Sequence, residues 1–350
     1  MEHVANVLAE KLLEALKIAS KHTKSAVLLV KEDGVTVRSI NFVVADTHIS
    51  SQTIDKFYGI TINHAGLRKY LAKQKGLISI YIEDKKVFFN DFGVDATIHQ
   101  SIDENEMPDT FYPIDAKIVN SILAKVVPFS GDKNVDRVAL MDIHLRGYQD
   151  VMHAIASDGY TLTHHTFHTG DYDNKDRYEF SFNRESFIVG ACALKPIKKK
   201  GNVYFYDKVE LGKVGKVNVL RVNGTYIYST HDSSVDFQYL LNTSNTFTPT
   251  TVVSIDREKI LNMMPEKMEK SKFHWTRIGL DKDCNPIAYS DEYLTHVDGT
   301  RFNAFFIKSV LEACEGDVVG CLLAYEFKYA NDSPIIFSDE TGYWVTMYCN

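Results

Sequence analysis

The stretch "THHTFHTGDYDNKD" at 163–176 holds the side chains of this sequence that are best suited to chemistry. They are His164, His165, His168, Asp171 and Asp173, residue types that bind divalent metal ions. A metal held there would activate water, as in a metal-dependent hydrolase. Neighbouring residues of a strand point to opposite faces, so at most one of His164 and His165 can share a site with His168. We therefore expect a polar strand end and loop, and keep the hydrolase as an alternative function.

No other pattern typical of catalysis occurs in the sequence. It lacks a P-loop, a Gly-rich dinucleotide-binding turn, a GxSxG nucleophile elbow and an HExxH zinc motif. The 5 cysteines form no CxxC pair and are odd in number, which favours reduced thiols in a cytoplasmic protein. We expect no catalytic residue, no bound metal and no cofactor.

The elements that must position these residues recur three times along the 350-residue chain. Asn63, Asn183 and Asn303 are spaced 120 residues apart, and each follows an apolar residue at the end of a strand-like run. Asn is a favoured helix N-cap, and apolar residues four and eight positions later mark one buried helical face. Strand-like runs follow each helix, and the Asn223-Gly224 pair predicts a hairpin turn.

A second matching half lies upstream of each asparagine. It opens with a predicted helix, in "NVLAEKLLEALKIA", "PIDAKIVNSILAKV" and "SIDREKILNMMPEKM". Strands follow and end in the similar phrases "FVVADTHIS", "AIASDGYTL" and "IAYSDEYLT", whose aspartates are Asp46, Asp158 and Asp291. The polar stretches at 103–111 and 242–250 are typical of linkers.

The sequence therefore predicts an α+β fold of three repeated domains, each built as helix, strands, helix, strands. We expect these domains to span residues 1–108, 109–245 and 246–350.

Charge is distributed unevenly between the predicted helices and the rest of the chain. The formal net charge of -7 argues by itself against nucleic acid. The six predicted helical segments, however, carry 21 Lys and Arg against 11 Asp and Glu, a net charge of +10. These segments are 1–24, 62–75, 115–126, 183–200, 256–272 and 303–315. If the helices share one surface, that surface can attract phosphates.

The first helical segment is amphipathic and acid-containing, which does not predict a signal peptide. No run approaches the ~18 apolar residues of a membrane-spanning helix. We expect a protein that does not enter a membrane.

Three segments resemble the bacterial replicative sliding clamp, the beta subunit of DNA polymerase III. "ASDGYTL" at 156–162 looks like the family's Ala-Thr-Asp-Gly-His-Arg-Leu, and "VDFQYLL" at 235–241 is similar to its Pro-Asp-Tyr-Arg-Arg-Val-Leu. "RFNAFFIKSVLEA" at 301–313 resembles its Phe-Asn-x-x-Tyr-Leu-x-x-Val-Leu helix, and a Ser-Pro strand and a closing strand follow. Their order and spacing agree with the threefold repeat over nearly the whole chain, which is identified as a divergent member.

The resemblance implies a non-catalytic processivity factor that encircles double-stranded DNA. The family's members are head-to-tail homodimers whose six domains close into a ring, with two helices per domain lining the hole and sheets outside. The implied partners are the replicative DNA polymerase, the clamp loader and other proteins that carry clamp-binding motifs. The dimer contact is expected between residues around 92–100 of one chain and 257–272 of the other. A closer alternative is a clamp-fold decoy that binds partner motifs without encircling DNA.

Two sets of site residues follow from the resemblance. The expected DNA-contacting side chains are Lys21, Lys24, Arg68, Lys69, Lys73, Lys125, Lys198, Lys199, Lys200 and Lys270. The expected peptide-binding pocket between the second and third domains consists of Leu140, Ser157, Gly159, Tyr160, Thr161, Leu162, Val235, Tyr239, Leu240, Phe273, Asn303, Phe306, Pro334, Trp344, Val345, Thr346, Met347 and Tyr348. Without the resemblance, the apolar members of this set are expected to be plain core residues.

The chain departs from the family pattern inside this pocket. The family's His-Arg after the glycine is Tyr160-Thr161, and its proline is Val235. Its C-terminal Met-Pro-Met-Arg-Leu corresponds to residues 346–350, "TMYCN". We expect the pocket to persist with an altered preference for partner motifs.

Overall fold

The computed structural model describes residues 1–53, 57–131, 138–169, 177–195, 197–199, 202–204, 207–230, 236–245, 249–268, 276–281, 283–290, 300–323 and 335–346. The chain divides into two compact units, which are described separately. The first unit contains Met1–Asn120 and Phe182–His231, and the second contains Ser121–Ser181 and Asp232–Asn350. The three domain boundaries given above remain a prediction. No helix in the described ranges is long and apolar enough to cross a membrane.

The structure is rich in antiparallel strands. In chain order they are β1 (Glu2–Leu8), β2 (Ser25–Lys31), β3 (Gly34–Ile40), β4 (Val44–Ser50), β5 (Gln52–Thr53), β6 (Tyr58–Asn63), β7 (Leu77–Glu83), β8 (Lys86–Phe89), β9 (Phe92–His99), β10 (Phe111–Ile114), β11 (Asp142–Tyr148), β12 (Val151–Ser157), β13 (Thr161–His168), β14 (Arg177–Asn183), β15 (Ile197–Lys199), β16 (Asn202–Tyr204), β17 (Val209–Val214), β18 (Val217–Val222), β19 (Thr225–Thr230), β20 (Pro249–Ser254), β21 (Arg277–Leu280), β22 (Pro286–Ser290), β23 (Thr300–Asn303), β24 (Val319–Leu323), β25 (Ile335–Ser338) and β26 (Gly342–Thr346).

The helices lie between these strands. They are α1 (Ala9–His22), α2 (His64–Leu71), α3 (Ala116–Lys125), α4 (Arg184–Ala193), α5 (Phe237–Asn245), α6 (Arg257–Asn262) and α7 (Ala304–Ala313). Two 3₁₀ turns cover Val127–Phe129 and Val138–Met141.

A 13-stranded sheet forms the first unit, in the order β10-β17-β18-β19-β4-β3-β2-β6-β9-β8-β7-β1-β5. Strands β2, β3 and β4 form a meander, and β19 joins it by pairing with β4. Helices α1 and α2 bury Leu12, Leu16, Leu67 and Leu71 against the sheet, because these apolar residues recur at helical spacing.

The second unit repeats this arrangement in an 8-stranded sheet, in the order β14-β11-β12-β13-β26-β25-β24-β20. Strands β11, β12 and β13 form the meander, and β26 pairs with β13 as β19 pairs with β4. Thr161 opposes Thr346, as Val44 opposes Tyr228 in the first unit. The repeat predicted from the sequence is therefore visible in strand order and register.

The three predicted N-caps are confirmed. The Asn63 side chain accepts a hydrogen bond from Ala65 N at 3.1 Å, and Asn183 accepts one from Glu185 N at the same distance. Asn303 accepts one from Phe305 N at 2.9 Å. In each repeat a strand ends at the asparagine and a helix begins at the next residue, since the side chain satisfies an amide that the first turn leaves free.

In the first and third repeats, the first helix begins or ends at a different residue from the predicted one. The segment "NVLAEK" was expected to open a helix, but Asn6, Val7 and Leu8 pair with β7, so α1 begins at Ala9. The helix expected over 254–268 spans only Arg257–Asn262, and Pro265 follows shortly after its end. Strand pairing far along the chain decides the first boundary, and local periodicity does not reveal it.

The expected linker at 242–250 is mostly ordered secondary structure. Helix α5 extends to Asn245, and β20 begins at Pro249. The expected linker at 103–111 lacks helix and strand as far as residue 110, and Asn105 donates a hydrogen bond to the buried Asp46 at 3.1 Å.

The aspartates of the repeated phrases are not equivalent in the structure. Asp158 lies in the turn between β12 and β13, whereas Asp46 lies inside β4 and forms an ion pair with Arg38 at 2.7 Å. The counterpart of the Asp158 turn in the first unit is the turn at 41–43, between β3 and β4. Asp291 lies outside the described residues. The three segments have similar sequences, but the aspartates of the first two occupy different positions relative to the strands.

Candidate partner-binding and nucleic-acid surfaces

The turn between β12 and β13 carries the central residues of the expected pocket. Asp158 Oδ1 accepts hydrogen bonds from Tyr160 N at 2.9 Å and Thr161 N at 2.7 Å, which closes the turn through one carboxylate. Gly159 has a φ of 91°, a conformation that glycine adopts without strain. Its amide donates to Ser157 Oγ at 3.1 Å. The segment "SDGY" therefore fixes the direction in which Tyr160 leaves the sheet.

An apolar cluster lies beside this turn, which we name the apolar floor. Its members are Ile155, Leu162, Phe237, Leu240 and Val345. Strand pairing brings Leu162 opposite Val345, and α5 supplies Phe237 and Leu240. All five side chains are buried, so they support the surface above them rather than forming its outer edge.

Three aromatic side chains belong to the turn, to α5 or to a residue that contacts the turn; two of them are exposed and the third, Phe306, is buried. Tyr160 is 54% exposed and stacks on Phe306 of α7, with ring centroids 5.4 Å apart. Tyr239 of α5 is 60% exposed, next in sequence to the buried Leu240. A Cβ at Gly159 would lie 3.6 Å from Cδ1 of the half-buried Leu140. Large aromatic surfaces at the mouth of an apolar cluster are typical of sites that take an inserted side chain.

Three other expected pocket residues are buried and have structural contacts. Asn303 caps α7, and Thr346 Oγ1 lies 3.4 Å from Thr161 Oγ1. Trp344 is fully buried, and its indole Nε1 donates to the Lys125 carbonyl at 3.3 Å. The expected pocket residues Val235, Phe273, Pro334, Met347 and Tyr348 lie outside the described residues. The structure thus brings together the turn, the floor and the aromatic margin of the expected pocket.

The expected DNA-contacting side chains of α1 and α2 are mostly exposed. Lys69 of α2 and Lys73 just beyond that helix face solvent, as do Lys21 in the last turn of α1 and Lys24 just beyond it. Arg68 is half-buried. Lys17 of α1 is also exposed, one helical turn before Lys21, and was missed although the spacing of the lysines along α1 could have revealed it. Helix α1 packs against α2 and α4 within the first unit.

Lys125 has a different environment from the one expected. It is only 2% exposed, and its ammonium forms ion pairs with Asp339 at 3.2 Å and Glu315 at 3.1 Å. Burial opposes ionisation of Asp339, but hydrogen bonds from Glu315 N and Thr341 and the charge of Lys125 together hold its pKa below the ordinary value. Lys125 therefore compensates a buried carboxylate, and its ammonium is not presented to a phosphate.

The lysine run at 198–200 does not continue a helix. Helix α4 ends at Ala193, and Lys198 and Lys199 lie in the short strand β15, which pairs with β16. Lys200 and Lys270 lie outside the described residues.

The histidines of the stretch 163–176 do not converge on one point. His164 Nδ1 lies 3.1 Å from the Tyr343 hydroxyl, whereas His165 is fully buried, 3.1 Å from Thr341 Oγ1 and stacked edge-on against Trp344. His168 is exposed and lies 3.2 Å from Asp150. Four residues along a strand separate His164 from His168 by about 13 Å, too far to share an ion.

Burial lowers the pKa of His164 to about 4 and that of His165 to about 3, so both rings are neutral at pH 7. Asp171 and Asp173 lie outside the described residues. Within the described part of the chain, no group of three or more His, Cys, Asp or Glu could hold a metal ion.

Solved structures with the same architecture are bacterial DNA polymerase sliding clamps. The clamp from Pseudomonas aeruginosa superposes with a TM-score of 0.71 at 12% identity, covering 100% of both chains. The clamp from Bacillus subtilis gives a TM-score of 0.71 at 11% identity over 100% of both chains. The Helicobacter pylori beta clamp bound to a DNA ligase peptide gives 0.66 at 13% identity over 99% of both chains.

No protein-family model matches the sequence, and no curated protein matches it. The chain nevertheless has the α+β sliding-clamp fold over its full length. Fold similarity persists here at an identity where sequence comparison alone finds no match.

Proposed function

We propose that the protein is a DNA sliding clamp, a non-catalytic processivity factor. Two copies join head to tail, close around double-stranded DNA, and tether a replicative DNA polymerase and other partners through a peptide-binding pocket. The observation that carries this proposal is the sliding-clamp fold over the entire chain. A clamp loader would be needed to open such a ring, and the cytoplasm is where the protein would act.

The exposed lysines of the first unit support a weak, sequence-independent contact with DNA. Lys21 and Lys24 at the end of α1, and Lys69 and Lys73 of the α2 region, present ammonium groups to solvent. Contacts to phosphates position a protein on the duplex and carry no sequence information. A ring that retains DNA by enclosing it does not require strong contacts.

The turn, floor and aromatic margin in the second unit support peptide docking. Tyr160 and Tyr239 offer exposed aromatic surface beside the buried apolar floor, and Tyr160 stacks on the buried Phe306. This is the combination that an apolar anchor residue of a short linear motif fills. The Helicobacter pylori clamp is bound to a DNA ligase peptide.

Strand β9 supports the expected dimer contact. It pairs with β8 through Phe92–Asp95 and with β6 through Ala96–His99, so within the described strands neither half has a partner on both sides. The alternate side chains Phe92, Val94, Ala96 and Ile98 are half-buried apolar groups. A strand edge of this kind can accept a strand from a second copy.

The experiment that tests the proposal combines mass and topology. Light scattering over a range of concentrations should give the mass of two 39.7 kDa chains. Protein loaded on a nicked circular duplex should then stay bound at high salt and leave when the circle is cut, because enclosure does not depend on counterions.

A strict monomer at high concentration would contradict the ring and favour the decoy alternative. A trimer would contradict the argument that three repeats in each of two chains form the ring. Retention that is equal on cut and closed circles would contradict encirclement.

A further inference from the structure

An open cleft lies on strands β14, β11 and β12 of the second unit's sheet, apart from the turn between β12 and β13. Its volume is about 610 Å³, and it is lined by residues from β11, the turn after it, β12 and β14. The lining residues that matter for binding are Arg146, Tyr148, His153, Arg177, Tyr178 and Glu179. Two guanidinium groups therefore line one cleft.

Arg146 is held in a defined orientation. Its Nε and Nη2 donate to Glu179 Oε2 at 3.1 and 2.9 Å, and its Nη1 donates to Gln238 Oε1 at 3.2 Å. Its guanidinium carbon lies 4.4 Å from the centroid of the Phe237 ring. A guanidinium fixed over an aromatic ring loses little further freedom when it binds an anion.

Arg177 supplies the second guanidinium. It is exposed, and its guanidinium carbon lies 5.3 Å from the centroid of the Tyr148 ring, which is itself 46% exposed. The back of the cleft is closed by Tyr178, whose ring approaches Gly147 so closely that a Cβ there would overlap it. The two arginines belong to different strands, so the fold rather than the sequence brings them together.

The cleft has a small positive charge. Arg146 and Arg177 contribute two positive charges and Glu179 one negative charge. Burial and the charge of Arg146 lower the pKa of His153, which lies opposite Arg146 across the strand pair, so this ring is neutral at pH 7. A net charge of +1 suits one carboxylate or phosphate, whereas the Glu179 carboxylate would repel a continuous phosphate backbone.

The cleft adjoins the proposed peptide site through one side chain. Phe237 belongs to the apolar floor with Leu162, Leu240 and Val345, and the Arg146 guanidinium packs over its ring. His164 links the two regions as well, because its ring contacts Phe237 and its Nε2 lies 3.3 Å from His153 Nδ1. A peptide seated over the floor can therefore reach the cleft with a few further residues.

We propose that the Arg146–Arg177 cleft binds an acidic residue that flanks the apolar anchor of a partner peptide. This inference rests on the proposed peptide docking and adds a requirement that the docking alone does not contain. Arginine forks bind carboxylates with two parallel hydrogen bonds, which gives both affinity and direction. The cleft thus selects partners whose motif is extended by Asp, Glu or a phosphorylated residue.

The experiment compares the binding of four labelled nine-residue peptides to the full-length protein by fluorescence anisotropy. All four have a central Leu-Leu-Phe. One pair carries three Asp or three Asn residues on the N-terminal side of this centre, and the other pair carries them on the C-terminal side. On one flank the Asp peptide should bind about fivefold more tightly at low salt, the effect of one solvent-exposed ion pair. Arg177→Ala should abolish this advantage and leave the affinity for the Asn peptide unchanged.

Two further variants sharpen the test. Arg146→Lys keeps the charge and should still reduce the Asp advantage, because it removes the hydrogen bonds to Glu179 and Gln238 that fix the position of that charge over Phe237. The control Lys216→Ala removes an exposed charge from the first unit and should preserve the advantage. Circular dichroism spectra that match the parent protein's would show that each variant is folded.

Each contrary outcome has a distinct meaning. Equal affinity for the Asp and Asn peptides would overturn the acidic-flank inference and leave peptide docking standing. No binding of either peptide would overturn both. Displacement of the Asp peptide by inorganic phosphate at the same concentration, or by duplex DNA through Arg177, would overturn the inference in favour of a general anion site or a DNA contact.

Discussion

At the scale of single residues, burial rather than spacing decides what the polar side chains of the second unit do. His164 and His165 were the most metal-like residues of the sequence, and β13 places them on opposite sides of the sheet. Lys125 was expected to face DNA and instead neutralises the buried Asp339. Residue type was informative in each case, but the partner came from residues more than 170 positions away, which no local pattern encodes.

Neutral buried histidines make stability depend on pH. The pKa of His165 is about 3 in the folded chain and 6.5 in its ordinary state, so below pH 6.5 the unfolded chain binds a proton that the folded chain excludes. Stability therefore falls as pH falls, by about 2 kcal/mol at pH 5 for this one group. In His165→Asn, the loss of stability between pH 7 and pH 5 should be smaller by about this amount, as measured by urea unfolding.

The exposed His168 provides the matched control, since its ring lies in solvent beside Asp150. His168→Asn should keep the parent protein's loss of stability between the two pH values. An unchanged loss in His165→Asn would mean that other groups govern the acid sensitivity.

At the scale of elements, the sequence predicted the type and order of most helices and strands. It also predicted the residue at which the second helix of each repeat begins. Asn63, Asn183 and Asn303 were read from local chemistry alone, and each caps its helix. The start of α1 and the helix α5 were not predicted, because pairing of β1 with β7 and packing of α5 on β12 are set by distant residues. The arginine cleft was missed for the same reason.

The N-caps give a prediction at this scale. Asn63→Ala removes the side-chain acceptor of Ala65 N and should lower the free energy of unfolding by about 1 kcal/mol. Asn63→Asp keeps an acceptor at the cap and should restore most of that loss. Urea unfolding of the two variants checks the expectation, and equal stability of the Ala and Asp variants would show that the cap contributes nothing.

At the scale of the whole molecule, the distribution of charge makes the proposed contact with DNA compatible with an acidic chain. The net charge of -7 coexists with exposed lysines on α1 and around α2, so the proposed contact with phosphates can be local in a chain whose net charge opposes it. Exposure sorts the predicted basic residues: Lys21, Lys24, Lys69 and Lys73 remain candidates for DNA contact, whereas Lys125 does not.

Charge reversal tests this surface. Lys21→Glu with Lys24→Glu should shorten retention on a linear duplex, from whose ends a ring can slide, severalfold at low salt and lower the salt dependence of binding, because two phosphate contacts are lost. Circular dichroism should remain unchanged, since both side chains are exposed. Lys213→Glu with Lys216→Glu, a pair on β17 and the β17–β18 turn, serves as the control and should not alter retention. Equal effects of the two pairs would indicate a general charge effect.

The pairing of β13 with β26 has a consequence for how the chain is made. The meander of β11, β12 and β13 is complete once residue 168 has been synthesised, yet the strand that covers its edge ends at Thr346. On the ribosome, the edge of β13 must therefore remain open until the residues of β26 have been synthesised. An uncovered strand edge can pair with another chain, so a product that stops before β26 should be prone to aggregation, even though the meander of β11, β12 and β13 is present.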